Sequence, residues 1–158
     1  MDKQKLLDQL KIIPELEELE IRYRFVTYNP EEKDIKQVAQ EAGLRLGQMI
    51  KTLLVKNDKE FYLLLLPMNK EVDWIKLKKF VGKKDIELAT TEEVKKVTGF
   101  EVGAVCPLVK DIRIYGDMNI MKEAFISFGT GVKGVEVILD KNDVVNKLQV
   151  TLGYFTKD

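Results

Sequence analysis

Two apolar runs, residues 49–55 (MIKTLLV) and 61–66 (FYLLLL), flank the five-residue segment KNDKE. The Asn-Asp pair between them suits a tight turn and each run has the length of a strand, so a β-hairpin is predicted. Strands at the wet surface of an open sheet alternate apolar and polar residues, whereas both of these are apolar on both faces. They are therefore central strands, covered by helices or by a second layer. A chain of 158 residues with 45% hydrophobic and 33% charged residues can bury one such core as a folded globule.

Lys51 breaks the pattern. In a strand it shares a face with Met49, Leu53 and Val55. An unpaired ammonium is costly to bury, so Lys51 must snorkel to the sheet edge, pair with a carboxylate or point into a cleft.

The flanking segments complete a mixed α and β pattern. Leu6, Leu7, Leu10 and Ile13 form one helical stripe that Pro14 is expected to end. IRYRFVTY alternates as a strand, and NPEEKDIKQVAQEAG reads as a helix with Asn29 as cap, Pro30 in its first turn and Gly43 as its stop. DWIKLKKFVG and TEEVKKVTG read as short helices on either side of a short strand, IELA. IRIYGD, EAFISFG and VEVILD read as strands, KNDVVNKL as a helix and QVTLGYF as an apolar tail. The expectation is a single α+β domain over residues 1–158, with an N-terminal helical segment (1–20) and a C-terminal tail (149–158).

Composition closes several chemistries. There is no histidine, so Ser-His-Asp and Cys-His catalysis, histidine-ligated zinc and an imidazole base are all excluded. One cysteine, Cys106, excludes an intramolecular disulfide and thiolate zinc clusters. No metal and no cofactor is expected. The 26 basic and 26 acidic residues cancel, so a polyanion would need a local patch; DNA and membranes are not expected partners. No apolar stretch has the length of a membrane span and the first residues lack a signal-peptide layout, so a cytoplasmic location is expected.

Two loops remain. FEVGAVCPLVKD places Gly103 four residues before Pro107 and can expose several backbone N–H groups to one oxygen, as oxyanion sites require, although Gly and Pro also mark ordinary turns. SFGTGVKGVEV carries three glycines between two strands but has the spacing of neither a P-loop nor a dinucleotide fingerprint.

The order of VTYNPEE, QMIKTLLVKND, the helix-to-loop junction TGFEVGAVCPL and AFISFGTGVKGVEVIL resembles the YbaK/EbsC/ProX family of aminoacyl-tRNA deacylases, freestanding relatives of the prolyl-tRNA synthetase editing domain. The resemblance runs over about residues 23–148. It implies that family's mixed sheet or partial barrel with surrounding helices. It also implies trans-editing hydrolysis of a mischarged tRNA bearing a small amino acid (Cys, Ala or Ser), with tRNA-Pro as one carrier. The implied partners are the aminoacyl-tRNA 3′ end and a synthetase. Lys51 and Gly103 are the implied catalytic positions; Tyr28, Thr52, Ala104, Pro107, Ser127, Gly129, Gly131 and Glu136 are the implied substrate-binding ones. Two readings compete with hydrolysis: a non-catalytic module on the same fold that binds tRNA ends, a nucleotide or a synthetase, and a thiol enzyme built on Cys106.

Overall fold

A computed structural model describes residues 2–158. The predicted hairpin is its centre. Strands β2 (Ile50–Lys56) and β3 (Phe61–Pro67) pair antiparallel in the register Lys51 to Leu66 and Thr52 to Leu65. Asn57 makes the turn: its side-chain oxygen accepts from the N–H groups of Lys59 and Glu60. As the unbroken apolar pattern requires, both strands are internal. They sit in a five-stranded sheet of order β4-β2-β3-β5-β8, with β4 at Glu87–Leu88, β5 at Arg113–Asp117 and β8 at Thr151–Gly153.

A second sheet has three antiparallel strands in the order β1-β7-β6: β1 (Tyr23–Thr27), β6 (Phe125–Gly129) and β7 (Val135–Asp140). One parallel bridge, Met49 to Ser127, touches the first sheet, and the two sheets do not close into a barrel. They share the main core, to which one sheet sends Ile50, Leu54, Leu63 and Leu65 and the other Ile126, Phe128, Val137 and Leu139. The far face of the larger sheet buries Val55, Leu64 and Leu66 with Leu77 of helix α4 (Trp74–Val81). Helices α3 (Ile35–Ala42), α5 (Thr91–Thr98) and α6 (Lys141–Lys147) complete the layers. The α+β class follows as expected.

Three local expectations are corrected. Pro14 does not end the first helix: α1 (Lys3–Leu7) stops by itself, and Pro14 opens a second helix, α2 (Ile13–Glu18), where its missing N–H has no intrahelical acceptor to lose. Asn29 caps a turn by accepting from the Glu31 N–H, and the helix after it starts five residues later, on Asp34, whose carboxylate accepts from the Lys36 N–H. The apolar tail supplies β8, parallel to β5. Buried Asp117 then fixes the last residues by accepting from the N–H groups of Phe155 and Thr156.

Candidate functional site

The functional geometry begins at the outer edge of β2. Met68 donates its N–H to the Met49 carbonyl, and Asn57 donates to that of Glu60. In the antiparallel alternation, odd-numbered residues of β2 therefore bond to β3, and even-numbered ones turn their main-chain groups the other way. At one end that outer edge is occupied by β4, with Ala89 donating to the Leu54 carbonyl at 3.0 Å. At the other end it is occupied by the bridge to Ser127. Between these two points the edge has no main-chain partner among the described residues, and the gap opens into a cavity of about 370 Å³.

Five of the residues singled out in the sequence line that cavity: Lys51, Thr52, Gly103, Gly129 and Glu136. Lys51 is partly buried and makes no ion pair among the described residues; desolvation lowers its pKa, and the field of Glu71 opposes the shift. Thr52 carries the single buried side-chain polar atom found without a hydrogen-bond partner among the described residues, its Oγ1. An orphan of that kind costs about 1–3 kcal/mol.

Facing β2 is the loop that follows α5. Thr90 and Glu93 form a capping box at the start of that helix, and Gly99 ends it in the left-handed region. Gly103 also has a positive φ of 88°, a conformation that favours glycine. The loop's amides are not all free. Ala104 donates to the Glu101 carbonyl at 3.0 Å, whereas the Gly103 and Val105 N–H groups donate to no acceptor among the described residues. Gly129 lets the loop sit close on β6: a Cβ there would lie 3.1–3.3 Å from backbone atoms of Ala104 and Val105.

Glu136 enters from β7 and is 6% exposed. Its carboxyl accepts one hydrogen bond, from Ser127 Oγ at 3.1 Å. Burial pushes its pKa up to about 7, against the opposing pull of that hydroxyl. Lys51 and Glu136 both line this cavity and form no ion pair among the described residues.

The other sequence candidates lie around this group. Ser127 supports Glu136 from behind. Ala104 and Pro107 are buried in the loop, where the Ala104 carbonyl accepts from the Gly131 N–H at 2.8 Å. Tyr28 packs beside Met49, and burial together with the field of Glu136 raises its phenol pKa. Gly131 is exposed against the Phe100 ring. Cys106 is fully buried, and desolvation pushes its thiol up to about 12, which removes the thiolate a nucleophile needs. Among the described residues no group of three or more metal-ligating side chains could hold an ion, and no helix is long and apolar enough to cross a membrane.

Leu88, Ala89, Thr91 and Val94 also line the cavity, and sequence reasoning did not single them out. They are ordinary strand and helix residues whose only signal was position next to the Thr90 cap.

Residues 29–147 match the family described as aminoacyl-tRNA editing domain. Among curated proteins, the chain is 43% identical over 89 residues to a proline–tRNA ligase of Halalkalibacterium halodurans, covering 56% of this chain and 16% of the ligase. It is 30% identical over 110 residues to that of Staphylococcus aureus, covering 69% and 19%. The chain thus spans less than a fifth of the length of these relatives. A crystal structure of a candidate trans-editing enzyme for prolyl tRNA synthetase superposes with a TM-score of 0.84 over 93% of this chain and 95% of that one, at 22% identity, a likeness of fold. On the match over residues 29–147, this chain belongs to the aminoacyl-tRNA editing domain family.

Proposed function

We propose that this protein is a trans-editing aminoacyl-tRNA deacylase that hydrolyses the ester of a mischarged tRNA carrying a small amino acid of the Cys, Ala or Ser class. The observation that carries the reading is that Lys51, which has no ion pair among the described residues, and Gly103 and Val105, whose N–H groups have no acceptor among them, line one cavity. Its volume lies in the range of small-ligand pockets.

In this reading water adds to the ester carbonyl, the carbonyl oxygen gathers negative charge, and the ribose oxygen leaves with a proton that the water gave up. Lys51 and the loop amides hold that developing charge where low dielectric strengthens the attraction. The Glu136 carboxylate receives the substrate's α-ammonium, and the Thr52 hydroxyl gains the partner it lacks. An aminoacyl ester is already activated by its own ammonium and its vicinal hydroxyl, so orientation and charge stabilisation replace an imidazole base.

The test is a panel of mischarged tRNAs assayed for amino-acid release against a no-enzyme control. Release on a small-residue substrate is expected, and Lys51→Ala lowers it by roughly 10²–10³-fold while the fold is kept. Undiminished release by that variant would remove Lys51 from the chemistry. Tight tRNA binding without release from any member of the panel would favour a binding module.

A further inference from the structure

The Lys51 side chain leaves β2 on the far face of the larger sheet, where its cross-strand neighbour is buried Leu66. The chain ends β3 at Pro67, turns with the Lys70 N–H donating to the Pro67 carbonyl, and reaches Glu71 just before α4 opens on that same face. Met68 of this turn donates its N–H to the Met49 carbonyl at 2.7 Å and lines the cavity with Lys51. Topology thus sets an exposed carboxylate, Glu71, beside the strand end that carries Lys51.

The last residues of the chain run antiparallel to this segment and fix it. Val72 bridges Thr156, the Lys157 N–H donates to the Glu71 carbonyl at 2.9 Å, and the Asp73 N–H donates to that of Phe155 at 2.8 Å. Phe155 is itself fully buried, so the Glu71 main chain is held from the C-terminal side. Its carboxylate lies 3.4 Å from the Lys157 ammonium, both side chains being exposed. Among the described charged groups, Glu71 is the one whose field acts on Lys51, against desolvation. The others on the elements packed there are engaged elsewhere: Asp73 caps α4, Asp158 pairs with Lys76, and Glu136 accepts from Ser127, while Lys70 shares the turn with Glu71.

We propose that Glu71 is a positioning residue for Lys51, a counter-charge seated by the C-terminal segment and shared between the Lys51 and Lys157 ammonium groups. This rests on the editing reading above and names what sustains the charge of its central side chain. A desolvated ammonium with no opposite charge nearby gives up its proton more readily, whereas one locked in a contact pair must break that pair before a substrate oxygen can approach. A carboxylate beyond contact distance avoids both costs, because charge acts over several ångströms. Lys157 keeps it there by drawing the same carboxylate outward.

The test follows the Lys51 Cε resonance in protein carrying carbon-13 lysine, assigned by its absence from Lys51→Ala, through pH titrations of the parent, E71Q, K157Q and E71Q/K157Q. Both substituted side chains are exposed, so each variant is expected to fold. E71Q is expected to move the Lys51 midpoint to lower pH by roughly 0.5, and K157Q to move it to higher pH by a similar or smaller amount, the scale of an exposed ion pair. With Glu71 already replaced, K157Q is expected to leave the midpoint where E71Q put it. Amino-acid release by E71Q, corrected for the no-enzyme rate, is expected to fall further behind the parent as pH rises through that midpoint. A midpoint unmoved by either single variant, or moved the same way by both, would overturn the proposal. The expected midpoints in a protein that releases no amino acid from any mischarged tRNA would leave the Glu71 role standing and remove hydrolysis.

Discussion

The same desolvation acts on Lys51 and Glu136 with opposite sign, making each ammonium or carboxylate harder to keep charged. For Glu136 this has a consequence for stability. Its folded pKa of about 7 lies above its ordinary 4.5, so between those values the folded state holds a proton that the unfolded state has released. Stability therefore falls as pH rises from about 4.5 to 7, by about 3 kcal/mol from this group. With no histidine in the chain, no imidazole adds its own titration to that window. Urea titrations at pH 5 and pH 7 should show the loss, and Glu136→Gln should abolish most of it; an unchanged pH dependence in the variant would mean the carboxyl is not buried as described. Thr52→Val tests the neighbouring orphan. Its Oγ1 has no partner to lose, so the variant should match or exceed the parent in stability by about 1 kcal/mol and raise KM for the mischarged substrate. Lys51 was legible in the sequence because an ammonium inside an oily strand is anomalous by itself. The unsatisfied Thr52 hydroxyl was not, since threonine is a common strand residue and its lack of a partner depends on what fails to arrive from the facing loop.

Among the elements, the loop over residues 102–106 and strand β6 are fitted to each other through the missing side chain of Gly129. Gly129→Ala would push the loop carbonyls by a few tenths of an ångström and carry the Gly103 and Val105 amides with them. The expected result is a fall in deacylation of tenfold or more, on the scale at which misplaced groups lose catalysis, with stability lowered by about 1–3 kcal/mol. A drop in melting temperature with activity retained would show that the loop's position does not matter. The hairpin, its central place and the helix stop at Gly43 were readable from the sequence because each depends on residues within one turn or one strand. Pro14 and Asn29 were misread for a related reason. Proline favours a first helical turn as readily as it interrupts one, and an asparagine can cap a turn as well as a helix, so the neighbouring packing decides. The tail's strand was hidden because its partner, β5, lies more than thirty residues away in the chain.

On the scale of the whole molecule, the α+β class was legible while the division into two sheets was not, because that depends on which edges meet. The main core draws from both sheets, so neither has a complete apolar interior without the other. Net charge is zero, yet residues 76–84 hold five lysines and no acid. Global charge therefore says little about where a polyanion would be held. The slot in the outer edge of β2 is stitched at both ends, by β4 and by the bridge to Ser127. It resembles a buttonhole cut in stiff cloth. Widening it would mean tearing a stitch, so under the proposed editing function an amino-acid side chain would be gauged against a fixed opening, and the choice between small and large would require no closing movement.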